Sequence, residues 1–230
     1  MTRHSSKLLQ ANYFLLLLAA LSCGGKKSDQ QPKPQPTAPL PKAGLAGQRV
    51  ALTPITLVAA EEALQWDSLI GNRRTTLDKS DSIIATLLGA RAPEVTWVGP
   101  AELRHIARRA PGIAADPDQM GTPFLRASNI IDVPDPLRSQ LRTLMGLAGG
   151  RYVLVPAGLV FRVASPGATP RGSPAVGPSG HPALATAELS VVLIDSRVGK
   201  VGWRTIARGE GDNPWIALTR AVKSLTPGLP

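Results

Sequence analysis

The sequence predicts an α/β (α+β) fold: one mixed β-sheet of about five strands with helices packed on it, closing in an antiparallel meander followed by a helix. Three observations predict it. Residues 183–211 alternate apolar and polar positions over two runs joined by Asp195 and Gly199, the period of a half-buried hairpin. Residues 213–225 then open with Asn-Pro and carry an apolar stripe at helical spacing. Upstream, short apolar runs alternate with helical patterns, and a strand–helix–strand unit of that kind closes as a parallel crossover.

Composition sets the limits. The chain has 230 residues, of which 43% are hydrophobic and 4% aromatic, so one core of Leu, Val, Ile and Ala is affordable. The 22 Gly and 22 Pro fall mostly outside the periodic segments and mark linkers and loops. The net charge is +10, but residues 1–22 hold two of those charges and residues 23–47 a net three, which leaves +5 on residues 48–230. That mild excess, with no basic run interleaved with aromatics, gives no support to nucleic-acid binding. A single cysteine, Cys23, excludes an internal disulfide and a cysteine-based metal cluster.

Residues 1–22 have a basic start with Arg3 and Lys7, then the apolar run Leu15–Leu21, and read as a secretory signal too short to span a membrane. Residues 23–47, rich in Pro, Gln and Lys without apolar period, read as a tether. The folded domain is expected over 48–230. Gln48–Thr56 reads as a strand that Pro54 ends early or confines to an edge. Residues 57–74 read as a loop with a short helix on Ala63, Trp66 and Ile70, broken by Gly71-Asn72.

A helix is expected from Thr75, with Asp78 in its first turn, to Gly89, burying Ile84, Ala85, Leu87 and Leu88. Val95–Val98 reads as a short strand. Pro100 opens a second helix to Arg109, with Leu103, Ile106 and Ala107 inward and Arg104, Arg108 and Arg109 outward. Residues 110–134 read as a long loop, in which Asp116-Pro117-Asp118 is a turn, since a calcium loop needs more oxygens and a closing Glu. Asp135-Pro136 should start a third helix with Leu137, Leu141, Leu144 and Ala148 inward, stopped by Gly149-Gly150.

Arg151–Val163 is the most apolar strand, and Pro156 and Gly158 predict a bulge in it. Residues 165–182 read as a flexible loop. The hairpin follows, with Ala187, Leu189, Val191 and Leu193 on one face of its first strand. On its second strand Val201, Trp203, Thr205 and Ala207 share a face, opposite Arg204 and Arg208. Asn213 caps the last helix, whose stripe is Trp215, Leu218, Val222 and Leu225.

Two resemblances attach to these residues. Leu21-Ser22-Cys23 resembles the lipobox of bacterial lipoproteins, with Ala20 where that family usually has Leu. The resemblance implies cleavage before Cys23, diacylation of its sulfur (palmitate), and an anchor of the acyl-chain kind. Gly24 after the cysteine implies sorting to the outer membrane, on its periplasmic face. Gly149–Val155 and the Asp195–Trp203 hairpin turn resemble motifs of a group of periplasmic lipoprotein domains. That group comprises the curli-secretion lipoproteins, the penicillin-binding-protein activator lipoproteins and the amino-terminal domain of the Tol-system translocation protein. The similarity implies a non-catalytic protein-binding or assembly role in the cell envelope, with an unidentified envelope protein as partner.

Three readings of function follow. The first is that binding or assembly factor, held to membrane lipid through Cys23. The second is a module binding peptidoglycan or another envelope ligand through the arginine-bearing second helix. The third is a cell-wall hydrolase using a carboxylate pair such as Glu61 and Asp116. The sequence offers no nucleophile elbow, and no ligand spacing around His105 or His181, so no catalytic residue, metal or cofactor is expected.

Overall fold

Six strands form one mixed sheet in the computed structural model, which describes residues 44–164 and 184–230. The expectations for the leader, Cys23, most of the tether, His181 and the 165–182 loop lie outside the described residues. The strands are β1 (Arg49–Leu52), β2 (Val58–Ala60), β3 (Thr96–Val98), β4 (Tyr152–Val163), β5 (Ala185–Asp195) and β6 (Lys200–Gly211). The helices are α1 (Asp67–Ile70), α2 (Arg73–Arg91), α3 (Pro100–Arg109), α4 (Leu137–Ala148) and α5 (Pro214–Leu225). Sheet order is β3-β1-β4-β5-β6, and β2 continues beside β4. β1 runs parallel to both β3 and β4, as the crossover rule predicts, and β4-β5-β6 is the antiparallel meander.

The sheet separates two cores. On one face Val50, Leu52, Leu154, Leu159, Phe161, Leu189, Val191 and Leu193 pack against Ile84 and Leu88 of α2 and Leu218 and Val222 of α5. On the other, Ala51, Val153, Val155, Val192 and Ile194 pack against Leu103 of α3 and Leu141, Leu144 and Met145 of α4. The loop over 110–134 contributes Met120, Leu125 and Val133 to this second core and holds two short 3-10 segments, Pro117–Gln119 and Thr122–Arg126, which its Pro/Gly-rich composition concealed.

Five expectations need correction. The segment 57–74 holds a strand, β2, and its buried side chains are Leu64 and Trp66, while Ala63 is exposed. The short helix α1 ends at Gly71 as expected, but α2 starts at Arg73 rather than Thr75, because Asn72 caps it, accepting from the N–H groups of Arg74 and Thr75. α2 runs through Gly89 to Arg91, because one glycine costs only about 1 kcal/mol within a helix otherwise held by packing. Pro136, not Asp135, occupies the cap of α4, and no side chain caps that end. Val201 faces the second core whereas Trp203 and Ala207 face the first. The cause is a bulge: Leu193 pairs with Trp203 and Ile194 with Val201, so Gly202 is the extra residue that flips the alternation.

Other local signals act as predicted. The ladder between β4 and β5 shifts between Pro156 and Gly158. Gly149 ends α4 in the left-handed region at φ 75°. Asn213 accepts from Trp215 and Ile216 N–H groups, and Pro214 holds the first position of α5.

Candidate functional site

The two motifs singled out in the sequence meet in space. Tyr152 at the start of β4 pairs with Asp195 at the end of β5. The Arg151 guanidinium donates to Asp195 Oδ2 from Nε at 2.8 Å and Nη2 at 2.5 Å. Ser196 returns two bonds to the Arg151 carbonyl, from N–H at 3.0 Å and from Oγ at 2.7 Å. Asp195 Oδ1 also accepts from Arg197 N–H at 3.0 Å, which fixes the turn. Burial pushes the Asp195 carboxyl up, but the hydrogen bonds from Arg151 and the Arg197 N–H, with the Arg151 charge, outweigh it and hold it below the usual range.

Beside this junction lies a hollow of about 520 Å³, lined by Gln48, Arg49, Arg142, Met145, Arg151, Ser196, Arg197 and the glycines around the end of α4. Its floor is tight: a Cβ at Gly150 would stand 2.6 Å from Met145 Cε and 2.9 Å from the Arg49 carbonyl. Four arginines from four different segments reach its wall. Arg49 pairs with Glu102 at 3.3 Å and Arg151 with Asp195. Arg142 donates from Nη2 to the Arg197 carbonyl at 2.9 Å, tying α4 to the hairpin turn.

A second charged constellation links α2, α3 and the 110–134 loop. Arg104 donates to Asp118 from Nε at 2.9 Å and from Nη2 at 2.8 Å, and to Asp81 Oδ2 at 2.6 Å. Asp81 Oδ1 accepts from Ile55 N–H at 2.8 Å, just past β1. Burial raises the Asp81 pKa to about 6, against the pull of the Ile55 N–H and of Arg104. Asp118 titrates below its ordinary range, because the bonds and charges of Arg104 and Arg74 outweigh its burial. Arg104, expected outward, is therefore committed to the interior, and α3 presents only Arg108 and Arg109 of the predicted arginine row.

A third surface is the far half of the sheet face that carries the second core. The rows Val160–Glu188–Arg208 and Arg162–Thr186–Glu210 cross three strands. Glu188 bridges Arg162 and Arg208, each at 3.0 Å, and Arg162 also reaches Glu61 at 3.1 Å. Ile206 stands 49% exposed on the same face, while Arg204 turns back to donate to the carbonyls of Ala127 and Ile130. A shallow depression of about 590 Å³ runs along Arg162, Thr186, Glu188, Arg208, Glu210 and Arg220.

The proposed carboxylate pair is not assembled. Glu61 is bound to Arg162 and to Val163 N–H at 2.9 Å, whereas Asp116 caps a 3-10 turn through Asp118 N–H at 3.0 Å. His105 is exposed on α3. Among the described residues no three His, Cys, Asp or Glu side chains gather as a metal site, and no helix is long and apolar enough to cross a membrane. The hollow and the far sheet face were missed in the sequence, since their members are scattered; only the Arg151 and Asp195 motifs pointed toward the hollow.

No protein-family model and no curated protein matches the chain. Solved structures resemble it at low identity. The C-terminal domain of LpoB from Salmonella enterica is 14% identical, with a TM-score of 0.32 over 72% of this chain and 83% of that one. A PelC dodecamer from Paraburkholderia phytofirmans is 15% identical, with a TM-score of 0.36 over 80% and 89%. A lipoprotein from Neisseria meningitidis is 16% identical, with a TM-score of 0.30 over 71% and 81%. At such identities and TM-scores these likenesses carry no argument about the family or the activity of this chain.

Proposed function

We propose that this chain is a lipid-anchored, non-catalytic factor of the cell envelope that works by binding another envelope protein. The single observation that carries the reading is the far half-face of the sheet. Helices α3 and α4 and the 110–134 loop cover the end of that face that holds Val153, Val155, Val192, Ile194 and Val201, and Ile206, Arg162 and Arg208 beyond them stay exposed. A broad face with an exposed Ile206 among preformed Arg–Glu rows, over a depression rather than a cleft, fits contact with a protein surface better than enclosure of a small substrate. The lipobox-like Cys23 and the tether after it support delivery of this face into the periplasm from the outer membrane. The peptidoglycan reading, by contrast, rested on an arginine-bearing α3, and Arg104 is withdrawn from it by Asp81 and Asp118.

A photo-crosslinking residue placed at Ile206 in the full chain tests the proposal. Ultraviolet exposure of intact cells should give one discrete protein adduct, absent when the probe sits at the exposed His105 position. Equal adduct patterns from both positions would overturn it. The anchor is checked separately: cells fed labelled palmitate should label the wild-type chain and leave Cys23→Ala unlabelled, and an unlabelled wild type removes the lipid from the account.

A further inference from the structure

The hollow beside the Arg151–Asp195 junction has a charge balance of its own. Four arginines, Arg49, Arg142, Arg151 and Arg197, line it. The carboxylates paired with them are Glu102 and Asp195, one each on Arg49 and Arg151. Arg142 spends one N–H on the carbonyl of Arg197, a neutral acceptor, and Arg197 has no carboxylate partner among the described residues. Two positive charges are thus left over, and both belong to residues that line the hollow.

Like charges in one concavity repel, and no carboxylate among the described residues is paired with Arg142 or Arg197. Glu102 and Asp195 already answer the two arginines nearest the sheet, and the turn is held by backbone bonds to Arg151 and Asp195. The remaining pair is placed rather than merely tolerated, because Arg142 is tied to the turn that carries Arg197. Guanidinium forks match oxyanions with two coplanar oxygens, and a doubly charged tetrahedral oxyanion can take a fork from each of two arginines. At about 520 Å³ the hollow has the volume of a small-molecule site rather than of a bare ion.

We propose that this hollow binds a phosphate monoester, with Arg142 and Arg197 as the two guanidiniums that take its oxygens, and with room beside them for the group esterified to it. The ester is a soluble phosphorylated compound or the headgroup of a lipid; the phosphate chemistry is the same in both. The site is distinct from the far sheet face, and it stands whether or not Cys23 carries acyl chains.

The test uses the full chain purified in a nonionic detergent and titrated calorimetrically with glycerol 3-phosphate and with dihexanoyl phosphatidic acid. Wild type should bind, and Arg142→Gln/Arg197→Gln should bind at least about tenfold more weakly, the loss expected for two charge-assisted contacts. Arg109→Gln, an exposed change on α3, should bind as wild type does. Circular dichroism melts of wild type and Arg109→Gln should coincide, and the double variant, which loses the exposed bond from Arg142 to the Arg197 carbonyl, should melt within a few degrees of them. Tighter binding of the phosphatidic acid assigns the site to a lipid headgroup, and equal binding assigns it to a soluble ester. Equal affinity of wild type and the double variant, or heat from neither ligand, overturns the proposal.

Discussion

Substituting Gly209 by Ala sets two physical effects against each other with opposite sign. Gly209 lies inside β6, where glycine weakens a strand, so propensity alone predicts a gain of about 0.5–1 kcal/mol for Ala. Packing predicts the reverse. A Cβ at Gly209 would fall on the backbone nitrogen of Ala221 and 2.5 Å from the Ala217 carbonyl oxygen, against an ordinary contact of 3.4 Å or more. These are backbone atoms of α5, so no side chain can swing aside; the helix itself must retreat, by about 1 Å. Such a gap forfeits roughly a quarter to a half of the contact energy of the side chains above it. Those side chains are Ala217, Leu218, Ala221 and Val222, all fully buried. Leu and Val alone are worth about 1.5–3 kcal/mol each when buried, and the steric term of overpacking adds about 1–3 kcal/mol. We expect a net loss of about 3 kcal/mol, read in urea unfolding of the full chain as a midpoint lower by about 1.5 M at a slope of about 2 kcal/mol/M. Gly89→Ala is the matched comparison: its Cβ meets nothing within 4 Å in the last turn of α2, so it should stabilise by up to about 1 kcal/mol. If Gly209→Ala unfolds at or above the wild-type midpoint, the close seating of α5 on β6 is wrong.

Three further outcomes are expected. Arg104→Gln leaves Asp81 and Asp118 without their shared cation and should cost about 3 kcal/mol or more in urea unfolding at pH 7; a loss below about 0.5 kcal/mol would mean the cluster is solvated. Asp81 has a folded pKa of about 6, above its unfolded value, so the folded state keeps a proton that the unfolded chain has released. Its contribution is therefore present at about pH 4 and lost as pH rises to about 6, by up to roughly 3 kcal/mol. Asp118, depressed, acts in the opposite sense and only below the ordinary aspartate range. Unfolding midpoints from pH 4 to 7 should fall in wild type relative to Asp81→Asn, and parallel profiles would refute the assignment. Asn213→Ala removes acceptors for two N–H groups of α5 and should lower the melting free energy by about 1 kcal/mol; an unchanged melt would show that Pro214 alone sets that helix start.

How much of this was legible follows the range of each interaction. The hairpin turn, the cap of α5 and the stop of α4 were readable because their partners lie within a few residues: Asn213 with Trp215 and Ile216, Gly199 N–H with the Asp195 carbonyl. The parallel pairing of β1 and β3 was readable because crossover handedness restricts it. The start of α2 at Arg73 was hidden because Asn72 follows Gly71 directly, so the signal that ends α1 masks the cap of the next helix. Val201 was misplaced because alternation is counted through a strand, and one extra residue at Gly202 reverses it without changing composition. β2 has three residues, too few to show any period.

Long-range charge was the least visible layer, and it is where the candidate sites lie. Arg104 follows the pattern of a solvated helix face, and only the approach of Asp81 from α2 and Asp118 from the loop turns it inward. The same reasoning applies in reverse to the hollow. Arg49, Arg142, Arg151 and Arg197 are unremarkable one at a time, each beside uncharged neighbours in sequence. Chain order brings them together: β1 and β4 are parallel neighbours, so Arg49 and Arg151, just ahead of Val50 and Tyr152 in the register, emerge at the same end of the sheet. The β5–β6 turn closes over that end and adds Arg197, and α4 leads straight into β4 and adds Arg142. This end of the sheet thus gathers four arginines against two carboxylate partners, which no stretch of the sequence shows.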